Sequence, residues 1–241
     1  MEGMQSMKRE APNKALCIIL LCKFRNYSRR LAGRIILRKA SVTIVSNNCI
    51  GGVLCHDFGL RFCTPFVNTN ISMEHYLQIC RRLKEYMQAE LQQVEATKEV
   101  QDYFYKNLGN GKVDFPVGKL ELLGEPPVLI FFQYYSTFEQ SLEMWERRKK
   151  RMNYDNLFFI VATNLMNNQN ECEDFANLKL PTQRKLLLTT DVPFNGSGAL
   201  SRCMHVPADM HFLDEKKGKG DCYYSCFPYL KWFYSPNKIK G

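Results

Sequence analysis

No two cysteines in this sequence are spaced CxxC, neither HExxH nor GxSxG occurs, and there is no GxGxxG turn and no P-loop. These absences remove the usual spacing of finger and ribbon zinc sites, of zinc hydrolases, of the α/β-hydrolase nucleophile and of the common nucleotide-binding loops. An Asp-x-Asp element, which a metal-dependent sugar transferase often uses, is also missing. The only candidate membrane signal, Ala15–Cys22, is eight apolar residues long, against the roughly 20 that span a bilayer. Lys23 and Arg25 follow it in place of a small-residue cleavage site. No secretory signal is therefore expected, and the thiols should stay reduced, as in the cytoplasm. There is no internal repeat and no low-complexity linker, which argues for one domain.

What is present is ordinary for a globular chain: 241 residues, 45% hydrophobic and 24% charged, enough for a sizeable core. The net charge of +9 is unevenly placed. Residues 1–40 hold ten Lys/Arg and two acids, while the other 201 residues hold 23 bases and 22 acids. We therefore expect a basic arm over 1–40 and a nearly neutral domain over 41–241, and no nucleic-acid partner. Lys23–Lys39 carries seven bases and no acid, and on a helical wheel these spread around the axis. Residues 15–39 are either a contact for an anionic membrane surface or membrane-bound partner, at the inner face of the membrane, or a solvated extension. The ten cysteines read as buried free thiols. Cys203, His205, His211, Cys222 and Cys226 are the only ligand types close together and lack paired zinc spacing, so neither a metal nor another cofactor is expected.

Four short apolar runs, Val42–Val45, Val128–Phe132, Leu157–Ala162 and Leu186–Leu188, lack polar alternation, as strands covered on both faces do. Between them, apolar positions from Met73 to Leu91 follow one helical face. Thr137 and Gln140 have capping-box spacing and open a second helix. A third helix spans about Glu171–Leu178. This alternation predicts a three-layer α/β/α domain with a mostly parallel, Rossmann-like sheet and an aromatic C-terminal tail packed on it. In the run Arg147–Arg151, Glu143 and Glu146 precede Arg147 and Lys150 by four residues, which predicts a salt-bridged helix end. His75 reads as a surface or groove residue.

Parallel sheets bind ligands beyond the carboxyl ends of their strands. The candidates there are Asn47 and Asn48 after the first run, Tyr135 after the second, Thr163 and Asn164 after the third, and Thr190 and Asp191 after the fourth. Gly51 and Gly52 follow the first turn, either to let backbone amides approach an anion or to make a tight strand-to-helix turn.

Four blocks occur in order: Ser46-Asn47-Asn48-Cys49-Ile50-Gly51-Gly52, Thr64-Pro65-Phe66, Pro116-Val117-Gly118, and Trp145 through Leu157. Together they resemble an uncharacterised bacterial family labelled exopolysaccharide or capsular polysaccharide biosynthesis protein, over about residues 41–190. The resemblance implies a three-layer α/β fold and a place in surface-polysaccharide synthesis. The resemblance carries no assigned reaction; within that setting we expect a transferase-like protein acting on a nucleotide-sugar or similarly activated donor, or else a non-catalytic component docked on membrane-bound assembly machinery. In the transferase form, Gly51 and Gly52 would present amides to a donor phosphate, and Asn47, Asn48 and Asn164 would hold the donor. Tyr135 would wall the acceptor and Asp191 would serve as general base. Where the family tends to carry a His-Tyr pair, this chain reads Gln133-Tyr134-Tyr135. Asp155 and Asn156 either close a helix-to-strand turn or, with one strand antiparallel, share the cleft with Asn48.

Overall fold

In a computed structural model that describes residues 27–28, 31–37, 41–164, 166–182, 184–189, 192–196, 202–205 and 227–235, the first apolar run forms β1 (Thr43–Ser46). It pairs in parallel with β5 (Leu157–Thr163), which pairs with β6 (Lys185–Thr189), which pairs with β7 (Arg202–His205). Side chains alternate across this sheet. Val45, Phe159, Val161 and Leu187 enter one apolar cluster, while Ile44, Phe158, Ile160, Leu186 and Leu188 enter another. Both faces are thus covered, which explains why these strands read as unbroken apolar runs. The chain is a mixed α/β protein built on a parallel sheet.

The second apolar run departs from expectation. It forms β4 (Val128–Phe131), which lies in a separate antiparallel sheet with β2 (Gln92–Val94) and β3 (Val117–Leu120). Val128 and Ile130 face the main core, while Phe131 packs with Val100 and Phe104 of α4 (Lys98–Asn107). A strand buried on both sides looks the same in sequence whether its neighbours are parallel or antiparallel.

α1 (Ile50–Asp57) and the C-terminal α7 (Tyr229–Tyr234) cover one face of the parallel sheet, with Leu37 beside them. The opposite face takes α2 (Met73–Arg81), α3 (Leu83–Gln88), α5 (Phe138–Lys149) and α6 (Gln169–Asn177). The single helical face read from Met73 to Leu91 is broken at Arg82, whose backbone leaves the helical region at φ −131, ψ 42. Its guanidinium bonds Glu85 and, at 2.6 Å, Glu125. Thr137 caps α5 by accepting from the Gln140 amide, as its spacing predicts. Glu146 pairs with Lys149, three residues on, and not with Lys150. Arg148 turns inward and donates to the Tyr135 hydroxyl and the Val67 carbonyl. Among the described residues, no helix is long and apolar enough to cross a membrane, and Cys49, Cys55, Cys63 and Cys80 stand outside any disulfide.

His75 is buried, contrary to its reading as a surface residue. Its Nδ1 accepts from the Leu129 amide of β4 at 3.1 Å, and its ring stacks on Tyr103, whose hydroxyl also meets Ser72 at 2.7 Å. Burial holds its pKa below the ordinary histidine value, opposed by the nearby Glu74 carboxylate. The unfolded chain therefore binds a proton that the folded site resists. Protonation would also set an Nδ1–H against the Leu129 N–H. Stability that is fully present above about pH 6.5 should fall as pH drops below it. Urea unfolding of the intact chain should show that loss, and His75→Gln should flatten it. Equal slopes in the two proteins would assign the acid sensitivity elsewhere.

Candidate functional site

The register of the parallel sheet creates the site. β1 ends where Ser46 faces Ile160, but β5 runs on to Thr163, so the β1 side of Ala162 has no strand to pair with. Carboxamides take the place of that strand. Asn47 Oδ1 accepts from the Ala162 amide at 3.0 Å, and its Nδ2 donates to the Ala162 carbonyl at 3.2 Å. Asn48 Nδ2 reaches the same carbonyl at 3.0 Å, while its Oδ1 accepts from the Ile50 amide at 3.1 Å. The Ser46 hydroxyl donates to the Asn48 carbonyl and closes the turn. The Asn47 carbonyl accepts from Ile71, and the neighbouring Asn70 exchanges backbone bonds with Phe131. Residues 70–71 thereby tie the two sheets together beneath the end of β1.

Above this junction opens a cleft of about 780 Å³. One rim is formed by the turn after β1 and the start of α1, with Asn48, Cys49 and Ile50. The turn after β5 and the first turn of α6 add Thr163, Asn164, Asn167, Asn168 and Glu171. Asn70, Met73 and Glu74 come from the approach to α2, and Gln133 and Tyr134 from the end of β4. The end of α4 and the loop behind it supply Tyr105, Lys106, Asn107 and Asn110. Tyr105 and Tyr134 are 63% and 58% exposed, so ring faces are open to a ligand. Burial pushes the Cys49 thiol pKa up, which keeps it protonated at the rim.

The turns are closed by their own side chains. Asn164 Oδ1 accepts from the Asn167 amide, and Asn168 Nδ2 donates to the Thr163 hydroxyl and the Asn164 carbonyl. A carboxamide has two donor hydrogens and two acceptor lone pairs. Asn48, with one bond at each end, therefore keeps hydrogen-bonding capacity, and so does Asn164. Asn47 is 5% exposed, and its two Nδ2 hydrogens point to Ala162 and to Met73 Sδ.

The residues singled out from sequence are therefore divided by the structure. Asn47, Asn48 and Asn164 meet at the cleft. Gly51 and Gly52 are buried and turned to the core. A Cβ on Gly51 would stand 2.6 Å from Ser46 Oγ, and one on Gly52 would stand 3.0 Å from Val67 Cγ1. Tyr135 is not among the cleft-lining residues; it lies edge-on to Phe132 with its hydroxyl accepting from Arg148 at 2.6 Å, while its neighbour Tyr134 lines the cleft. Thr190 and Asp191 lie outside the described residues, as do the side chains of Cys203, His205, His211, Cys222 and Cys226. Asp155 and Asn156 precede β5 at the edge opposite Asn48. There the Asn156 carbonyl accepts from Thr43, and its side chain accepts from Arg184. That settles the alternatives for this pair in favour of turn closure. Glu74, Tyr105 and Tyr134 were not foreseen. Among the described residues, no group of three His, Cys, Asp or Glu side chains could hold a metal ion.

Two comparisons bear on this geometry. A family described as a domain of unknown function (DUF1919) matches residues 22–234. A Haemophilus influenzae protein named "Uncharacterized protein" is 27% identical over 199 residues, 82% of this chain and 86% of its own length. The match exceeds the 41–190 span of the sequence resemblance and takes in part of the arm and the aromatic tail. The packing agrees with that wider span, because Leu37, Tyr229 and Phe233 share a cluster with Phe158 and Leu186 of the sheet.

Proposed function

The chain belongs to the DUF1919 family, and we propose that it serves surface-polysaccharide biosynthesis by holding a saccharide in the cleft beyond β1 and β5. The lining of the cleft carries this reading: among the described residues it has nine Asn or Gln side chains, two exposed tyrosines and three charged groups, Glu74, Glu171 and Lys106. A sugar hydroxyl both donates and accepts, as a carboxamide does, and sugar rings stack on aromatic faces. A phosphate only accepts, and it favours cationic donors. With Lys106 set against two carboxylates, the lining suits the sugar of an activated donor, or an uncharged precursor, better than a diphosphate. In the same reading the sheet, with helices over both faces, is a Rossmann-like three-layer core, whose ligands belong at this edge.

The narrower reading is a transferase using a nucleotide-sugar or similarly activated donor, which needs a base for the acceptor hydroxyl. Among the described residues, Glu74 and Glu171, in the first turns of α2 and α6, are the carboxylates that line the cleft. Calorimetric titration and thermal shift with neutral oligosaccharides, nucleotide-sugars and free nucleotides test both levels. Neutral saccharides should bind and free nucleotides should not. Tyr134→Ala should weaken saccharide binding about tenfold through lost ring contact, while Tyr135→Phe should leave it unchanged. Binding of no sugar in any form would sink the saccharide reading. Binding of neutral sugars with no response to activated donors would sink only the transferase.

A further inference from the structure

The residues before β1 place an apolar and basic face on the outside of the protein. Residues 31–36 are helical, and this turn is fixed to the body on one side only. Gly33 is buried so closely against α1 that a Cβ there would lie 2.0 Å from the Phe58 carbonyl oxygen, and Leu37 is 2% exposed in the cluster under the sheet. The other side holds Leu31 and Ile35, four residues apart and therefore on one helical face, at 47% and 68% exposure. Ile36, at 47%, flanks them, and Tyr27, four residues before Leu31, is 66% exposed. Arg34 is exposed among them.

From this arrangement we infer that the outer face of residues 31–36 docks on an anionic phospholipid surface. Large aliphatic side chains held out in solvent at helical spacing call for an apolar cover. The charge of the same stretch decides which cover fits, since Lys23–Lys39 carries seven bases and no acid. An anionic bilayer interface offers both partners together, acyl boundary for Leu31 and Ile35 and headgroups for the bases. The even spread of charge that weakened this reading in sequence has a structural answer. Among the described residues, the side opposite Gly33 and Leu37 meets solvent, and there Arg34 stands beside Leu31, Ile35 and Ile36. The placement suits the fold, because α1 runs from the cleft rim at Ile50 to the Phe58 carbonyl that seats Gly33. Its eight residues span about 12 Å, so a protein held by this face keeps its cleft near membrane-linked material.

The test is co-sedimentation of the full chain with vesicles of phosphatidylcholine alone or mixed with phosphatidylglycerol. Binding should require phosphatidylglycerol and weaken as salt is raised. The double variant Leu31→Glu, Ile35→Glu should lose at least about tenfold in partitioning, with an unchanged thermal midpoint because both side chains are exposed. Arg34→Glu should lose about tenfold on anionic vesicles. No binding to anionic vesicles would overturn the proposal, and so would equal binding to neutral ones. Undiminished binding by the double variant would do the same, by assigning the attraction to the bases alone. A dimer that the double variant splits, without vesicle binding, would identify a second copy of the chain as the cover. Saccharide titration of the same variants is read separately, so the cleft and the docking face fail independently.

Discussion

Asn47→Ala should lower the unfolding free energy by about 2–4 kcal/mol in urea titration, more than the same change at Asn48. The loss comes from Ala162, which is 5% exposed and whose N–H has Asn47 Oδ1 as its partner at 3.0 Å. A buried N–H left without an acceptor costs about 1–3 kcal/mol, and the bond from Nδ2 to the Ala162 carbonyl adds about 1 more. Asn47→Asp should be nearly as damaging, since it keeps an acceptor for the amide but sets a carboxylate against the carbonyl. Asn48→Ala should cost about 1 kcal/mol. The Ala162 carbonyl still has Asn47, and the Ile50 amide is a first-turn helix donor, for which the loss of a side-chain acceptor typically costs about 1 kcal/mol. If Asn48→Ala proves the more destabilising, the account of Asn47 as a surrogate strand end is wrong.

This contrast divides two residues that are adjacent and identical in sequence. Asn48 keeps hydrogen-bonding capacity at the rim and is the better partner for a ligand, while Asn47 holds up the edge on which the ligand would rest. A study that mutated only Asn47, saw activity vanish and inferred contact with substrate would be reading a folding defect. Saccharide affinity of Asn48→Ala, measured on protein shown to be folded, is the cleaner measure of the site.

Much of the core was legible because parallel strands buried on both faces leave unbroken apolar runs, and β1, β5 and β6 did so. β2 and β3 left no such trace. Gln92 and Gln93 are exposed, and β3 is Val-Gly-Lys-Leu, too short and mixed to stand out. Without them β4 had no antiparallel partner in view, and its run joined the parallel set. The same gap hid half of the site. The carboxyl ends of β1 and β5 were reachable by rule, and Asn47, Asn48 and Asn164, read from there, line the candidate cleft. Tyr105 enters from α4, which only the small sheet brings to the cleft. That Tyr134 and not Tyr135 lines the cleft depends on which side of the chain faces out after β4. A one-residue step reverses that, and composition offers no hint of it.

Gly51→Val should cost about 3 kcal/mol, at the upper end for overpacking a tight core. The Cβ alone would stand 2.6 Å from Ser46 Oγ and 3.1 Å from Ile44 Cγ2, and both neighbours are fully buried in β1. Gly51→Ala tests the balance more finely. Alanine favours a helix over glycine by about 1 kcal/mol, and the close contact opposes this by about 1–3 kcal/mol. A net loss is therefore expected despite the better helix former. Unaltered or improved stability in Gly51→Ala would mean that Ser46 yields freely and that α1 is not pressed against β1. The contact bears on the site because the hydroxyl in the way is the one that donates to the Asn48 carbonyl at 2.9 Å. A side chain at Gly51 must displace that hydroxyl or lift the helix, and either shift loosens the turn that presents Asn48 to the cleft. Gly51 can thus matter to ligand binding without touching a ligand. Its signature would be a weaker saccharide affinity in Gly51→Ala that tracks its loss of stability, whereas a glycine needed for direct anion approach would lose affinity with stability intact.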